Sequence, residues 1–307
     1  MDLSQSSSSF RPAMRFTGTY TALITPFRNG AIDAPAFQAL IERQITAGID
    51  GIVPVGTTGE SPTLDTAEHL EVIRLAVEFA AGRCQVVAGT GANATAEAIE
   101  LTQTAESLGA TGSLQVCPYY NKPSQEGLFL HFKAIADTTR LPIMLYSVPG
   151  RSVVEIAPET AARLAAACPN ITAIKEAGGS VDRINQLVQA LPTDFGILCG
   201  DDPLLLPFVS CGATGLVSVA ANLIPETIIS LVNASLSGNF AEALVLQKKF
   251  YPLLRGLMSL DVNPVPIKTA VALQGHCTPE LRLPLAPLSE ENTAKLRALL
   301  KSYQLLA

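Results

Sequence analysis

Short β-branched or apolar runs recur along this chain, each followed by a stretch whose apolar residues fall at helical spacing. That recurrence limits the fold more than any other feature of the sequence. The runs are Tyr20–Ile24, Gly51–Val55, Gln85–Ala88, Ser113–Val116, Ile143–Tyr146, Ile171–Ile174, Gly196–Cys199 and Gly215–Val219. The first seven begin 25 to 34 residues apart, the length of one β/α unit, and the eighth follows sooner. Helix-period segments such as Ala36–Ala47, Thr66–Ala81, Ala94–Ser107 and Pro158–Ala167 lie between them, and Asp65 with Glu68 reads as the cap of one helix. The runs do not alternate between apolar and polar, which suits parallel strands covered by helices. Eight units in series predict an α/β fold, a (β/α)8 TIM barrel. An open doubly wound sheet is the structural alternative, disfavoured because no G-x-G-x-x-G follows the first strand.

After Ile224 no further strand pattern follows. Helical stretches over Glu226–Phe250 (broken near Gly238), Pro264–Leu273 and Glu290–Leu305 predict a C-terminal helical extension over 225–307, with no linker to the barrel at 16–224. The Ser-rich opening over 1–15 has no apolar run, so it reads as a mobile tail rather than a secretory signal. The longest uncharged stretch, Pro203 to Pro225, is broken by Pro207, Gly212, Gly215 and Asn222, and reads as a buried helix-to-strand segment rather than a membrane span. Charged residues are only 16% of the chain, below the usual ~25%, so much of it must be buried. A net charge of −6 leaves no basic footprint for nucleic acid. The six cysteines form no C-x-x-C pair, which fits free thiols in a reducing, cytoplasmic compartment.

In a barrel the chemistry sits on the loops after the strands. Here those loops read GTTGES (56–61), GTGAN (89–93), CPYYN (117–121), YSVPGR (146–151), KEAGGS (175–180) and CGDDP (199–203). They are rich in glycine, hydroxyls and tyrosine, while the strands are not. The three histidines are far apart in sequence and form no H-x-H or H-E-x-x-H, so a metal hydrolase is poorly supported and no metal is expected. G-x-S-x-G and Walker motifs are also absent. Lysine remains. Lys175 ends an apolar run, where burial would lower its pKa and free the amine to attack a carbonyl. Lys268, in VPIKTAV, is the rival, unless it is a helix lysine reaching out to water. Tyr120, Tyr146, Thr57 and Thr58 stand at strand ends where a proton relay is feasible. Read singly, they are half-buried aromatics and turn caps, Arg151 is a surface charge, and Asp201 and Asp202 are helix caps.

GTTGES, GTGAN, PYYN, Y-x-V-P-x-R, I-K-E-A and GDDP, in this order, together with LRLPLAPL (281–288), resemble the dihydrodipicolinate synthases. These belong to the class I pyruvate aldolase family that also includes N-acetylneuraminate lyase, and the likeness runs from about Phe16 to the C-terminal residues. The resemblance implies a Schiff base between Lys175 and pyruvate and no other cofactor. Tyr146 would be the proton donor and acceptor. Thr58 would link it to Tyr120, which in this family enters the partner subunit's site across a tight dimer. Thr57 would bind the pyruvate carboxylate, and Arg151, as a planar fork of donors, that of L-aspartate 4-semialdehyde. Gly200 and Val217 would offer carbonyls near the lysine. The implied reaction is aldol-type condensation followed by cyclisation, towards diaminopimelate and lysine. Arg151 argues against the alternative, a lyase of longer sugar acids.

The family's allosteric lysine site matches Ser61, His69, Asn93, Glu97 and Tyr119, so L-lysine is an expected inhibitor, with Glu97 holding its ammonium and Asn93 its carboxylate. Read alone, His69 is a first-turn helix histidine facing solvent and Glu97 a helix surface charge. The family is commonly a dimer of tight dimers. Ser147, Gly178 and Thr66 depart from the family's usual residues without removing a reacting group; Ser147 and Gly178 could alter loop rigidity, and Thr66 lysine affinity.

Overall fold

A computed structural model describes residues 15–306; the expected tail lies, up to residue 14, outside the described residues. Eight parallel strands close into a barrel. They are β1 (Gly18–Ala22), β2 (Gly51–Val53), β3 (Gln85–Gly89), β4 (Gly112–Val116), β5 (Ile143–Ser147), β6 (Ile171–Glu176), β7 (Gly196–Cys199) and β8 (Gly215–Ser218). Closure is direct: β1 pairs with β8 through Gly18 and Gly215 and with β2 through Thr21 and Ile52. An open doubly wound sheet is thereby excluded.

The apolar runs become strands because both of their faces are covered. One set of side chains points into the barrel, where Tyr20, Val53, Val87, Leu114, Met144, Ala173, Leu198 and Val217 form an inner core. The alternate set, including Ile52, Val86, Leu145, Ile174 and Ile197, packs outward under the helices. Each fully buried Val, Leu or Ile contributes about 1.5–3 kcal/mol.

The helices are α1 (Ala34–Ala47), α2 (Thr66–Ala80), α3 (Thr95–Ser107), α4 (Gln125–Ala136), α5 (Pro158–Ala167), α6 (Val181–Ala190), α7 (Leu205–Ser210), α8 (Pro225–Leu236), α9 (Phe240–Ser259), α10 (Val265–Leu273) and α11 (Glu290–Ser302). The Asp65–Glu68 capping box opens α2, with both reciprocal bonds made. Asp33, Ser124 and Ser180 cap α1, α4 and α6 by the same side-chain chemistry. The uncharged stretch after Pro203 is a helical turn, α7, β8 and a further turn, and among the described residues no helix is long and apolar enough to cross a membrane.

Helix α8 packs on β1, β8 and α1. It lies past residue 224, at the start of the extension expected from sequence, yet it covers the barrel wall as the eighth β/α helix. The chain then turns at Gly238, in left-handed conformation, into α9. Helix α10 is buried from Val265 to Val271. Residues 278–282 return over the loop after β1: Thr278 Oγ1 donates to Phe27 O at 2.5 Å, and Glu280 accepts the amides of Asn29 and Gly30.

Candidate active site

Lys175 and Tyr146 are register partners on neighbouring strands and share the inward phase, so both side chains stand at the mouth of the barrel. Lys175 Nζ lies 4.2 Å from the centre of the Tyr146 ring, and each residue is only 6% exposed. No carboxylate lies within ion-pair reach of Lys175 among the described residues. Gly200, on the loop after β7, faces the lysine stem: a Cβ there would sit 3.0 Å from Lys175 Cε and 2.7 Å from Ala177 Cβ. Val217 is part of the inner core beneath them.

Thr57 and Thr58 lie in a tight turn, Thr57–Gly59, directly after β2. Thr58 is buried, and its Oγ1 accepts a hydrogen bond from Asn263 Nδ2 at 3.0 Å. Arg151, in the turn Pro149–Ser152, donates through Nη2 to the backbone carbonyl of Asn263 at 3.0 Å. One residue of the extension thus touches both a strand-two hydroxyl and the arginine fork. The sequence reading passed over Asn263; a polar residue just before the buried helix α10 was the signal available.

A cavity of about 330 Å³ opens beside these groups. Thr57, Tyr146 and Arg151 line it, and so do Ser61, Thr66, His69, Glu97 and Tyr119. Members of both residue sets, those assigned to substrate and those assigned to effector, therefore border one continuous space. Asn93 stands behind it, donating from Nδ2 to Tyr119 O. Burial and the neighbouring Glu97 carboxylate push the Tyr119 phenol up. Tyr120 is 90% exposed, in left-handed conformation, and does not line this cavity.

Three readings of single residues need correction. His69 does not face solvent: it is buried, its Nε2 lies 2.8 Å from Gly89 O, and burial pulls its pKa down. Lys268 does not reach out to water. It is fully buried, with Nζ 2.6 Å from Glu60 Oε1. That removes it as the reactive amine, since nothing can approach it. Asp202 is a cap, but of the turn after β8 rather than of its own helix, accepting from the amides of Val219 and Ala220 and from the Ser218 hydroxyl. Burial raises its pKa, against the pull of those donors.

The departures have structural accounts. Gly178 donates its N–H to Glu176 Oε1 at 2.6 Å, and a Cβ at 178 would meet that same oxygen at 2.6 Å. The missing side chain is what lets Glu176 fold back while pairing with Arg183. Ser147 is fully buried, with Oγ 3.4 Å from the Ile156 amide. Thr66 lines the cavity.

A closed parallel barrel with a buried lysine against a tyrosine, and threonine and arginine around one cavity, defines a lyase of the Schiff-base aldolase class. The family model described as "Dihydrodipicolinate synthetase family" matches residues 15–303, and the chain belongs to that family. It is 50% identical over 291 residues to the 4-hydroxy-tetrahydrodipicolinate synthase of Geotalea uraniireducens, covering 95% of this chain and all of that one. The solved synthase of Methylacidiphilum fumariolicum SolV superposes with a TM-score of 0.91 at 55% identity, covering 95% of this chain and all of that one. Two further solved dihydrodipicolinate synthases, each with a TM-score of 0.91, are described with bound molecules. That of Acinetobacter baumannii is complexed with pyruvate (41% identity, 94% of this chain and 99% of that one). That of Cyanidioschyzon merolae has lysine bound (39% identity, 95% and 99%).

Proposed function

We propose that this chain condenses pyruvate with L-aspartate 4-semialdehyde, the 4-hydroxy-tetrahydrodipicolinate synthase reaction, through an imine on Lys175. The observation that carries this is the Lys175 amine held against the Tyr146 ring with no carboxylate partner, that tyrosine lining a cavity large enough for two small acids. The amine adds to the C2 carbonyl of pyruvate, and loss of water leaves the imine. Loss of a C3 proton gives the enamine, whose C3 forms a bond to the aldehyde carbon. The substrate's own amine then attacks the imine carbon, closing the ring and releasing Lys175.

Tyr146 carries the protons of these steps, with Thr58 as its link to Tyr120 of a second copy. Thr57 takes the pyruvate carboxylate, and Arg151 that of the semialdehyde. Gly200 and Val217 lend carbonyls near the imine. The exposed, outward Tyr120 supports a tight homodimer, and a dimer of dimers is the assembly we assign. The chain needs no metal or other cofactor in this scheme, and we place it in the cytoplasm. L-Lysine inhibits by binding Ser61, His69, Asn93, Glu97 and Tyr119; four of these line the cavity and the relative with bound lysine supports the assignment.

Borohydride reduction in the presence of pyruvate tests the core of this reading. The expected product carries one pyruvyl mass on Lys175. Labelling elsewhere, or none, refutes it. Trapping without consumption of the semialdehyde would instead mark another pyruvate lyase of the same family. Titration with L-lysine should lower turnover, and Glu97→Ala should blunt that response. Tyr120→Phe should slow turnover while the dimer persists on a sizing column.

A further inference from the structure

The turn that presents Thr57 and Thr58 is built on Glu60. Its amide closes the turn onto Thr57 O at 3.1 Å, and its carbonyl accepts from Thr63 N at 3.0 Å, starting a second turn over Ser61–Thr63. Glu60 itself adopts left-handed backbone, φ 58°, a conformation a residue with a Cβ keeps only when its surroundings impose it. What imposes it is the side chain. The carboxylate is fully buried, with Oε1 2.6 Å from Lys268 Nζ and Oε2 accepting the amide of Arg282 at 3.2 Å. Lys268 is in turn fixed over the Phe27 ring, 4.1 Å from its centre, and Arg282 covers the same ring at 4.4 Å. Arg282 also binds both oxygens of Glu68, in the first turn of the helix that bears His69. So, besides the Asn263 contact to Thr58, the extension grips the hydroxyl turn through the Glu60 carboxylate.

A buried ion pair adds little to stability relative to well-packed apolar side chains of similar size. Its presence beneath the hydroxyl turn points to another role. We propose that Lys268 and Glu60 are positioning residues for the pyruvate subsite: together they fix the left-handed turn that aims Thr57 and Thr58 at the pyruvate carboxylate and at Tyr146. The inference rests on the assignment of Thr57 and Thr58 to pyruvate made above. The pair touches no substrate and acts only through the turn.

The decisive variant replaces both partners, Lys268→Met with Glu60→Leu, in the full chain. An apolar pair leaves no unpaired buried charge, so the fold should be kept, with a melting temperature near that of the parent. The turn, however, loses its anchor. The pyruvate concentration that half-saturates borohydride trapping at Lys175 should rise by about tenfold or more, since a displacement near 1 Å can cost on the order of 100-fold. The KM for the semialdehyde should move far less. Lys268→Arg, which keeps a donor for Glu60, should recover most of the pyruvate affinity.

A double variant that melts like the parent and traps pyruvate at the parent's half-saturation overturns the proposal. So does a rise in half-saturation that Lys268→Arg shares in full. Absence of trapping in the parent chain would overturn the pyruvate reading itself, and this inference with it; trapping in the parent with no difference in the double variant overturns this inference alone.

Discussion

Gly200→Ala tests the placement of the reactive amine at the scale of a single methyl group. Gly200 does not have positive φ, so alanine meets no backbone penalty and the perturbation is steric. The new Cβ would lie 2.7 Å from Ala177 Cβ and 3.0 Å from Lys175 Cε. Carbon atoms rest about 3.5–4.0 Å apart, so the lysine stem must withdraw by ~0.5–1 Å, or the loop must move by a similar amount. Overpacking of this kind costs about 1–3 kcal/mol of stability. Its effect on chemistry should be larger, because moving a reacting group by ~1 Å can slow a step on the order of 100-fold. We expect trapping by borohydride at saturating pyruvate to slow about 10- to 100-fold, with a melting temperature lower by only a few degrees. Stopped-time trapping followed by intact-mass measurement reads the first quantity, and differential scanning fluorimetry the second. Trapping at the parent rate in a folded Gly200→Ala protein would show that the amine does not occupy the position facing Gly200, and the reasoning that makes Lys175 the nucleophile from its geometry would fail.

Other outcomes follow from the same structure. Arg151→Ala should raise the KM for the semialdehyde while pyruvate trapping persists; loss of trapping would instead make Arg151 a brace for Asn263, whose carbonyl it already binds at 3.0 Å. Arg183→Met leaves Glu176 buried without its cation, which should cost about 3–5 kcal/mol, read as a fall in the urea midpoint. A midpoint within error of the parent would mean that the Gly178 amide, which donates to Glu176 Oε1, suffices. His131 is buried with its Nδ1 on Thr95 Oγ1, and burial lowers its pKa to about 4. As pH falls below ~6.5, the unfolded chain takes up a proton that the native chain refuses, so native stability declines until about pH 4 and then levels, by at most ~3 kcal/mol. His131→Gln should therefore lose less melting temperature than the parent between pH 7 and pH 4.5; parallel curves would refute the assignment.

The parts of this fold that were legible in the sequence are those whose cause is local. A strand buried on both faces is mostly apolar (Ser113 and Gln115 are buried exceptions that hydrogen-bond to each other), so the eight runs stand out, with ends that shift by two residues or less from those expected. A helix start needs acceptors for its free amides, so the Asp65–Glu68 box could be read directly. The loops after the strands stood out because catalysis needs hydroxyls and close backbone approach where the barrel needs neither. Polar contacts between distant segments leave no such mark. Asn263 meets Thr58 across 205 residues and Lys268 meets Glu60 across 208, and neither spacing repeats anywhere to give a pattern. His69 belongs to the same class: its inward turn depends on a carbonyl, Gly89 O, that the helix sequence cannot reveal.

The two buried lysines show why composition alone could not choose between them. Each ends or interrupts an apolar run, and each is buried. What separates them is the partner. A carboxylate at 2.6 Å favours the charged form of Lys268 and so opposes the lowering that burial causes, while the surrounding Phe27, Glu60 and helix α10 leave no approach for a substrate carbonyl. Lys175 has an aromatic face at 4.2 Å instead, a glycine where a side chain would press on its stem, and a cavity beginning at the neighbouring tyrosine. An aromatic face attracts a cation weakly, about 0.5–2 kcal/mol, and forms no covalent or bidentate contact that must be broken before the amine can add to a carbonyl. The same residue type in the same kind of sequence is therefore a strut in one place and, in the role we propose, a nucleophile in the other, and what separates them is a glutamate that the chain brings in from another strand's loop.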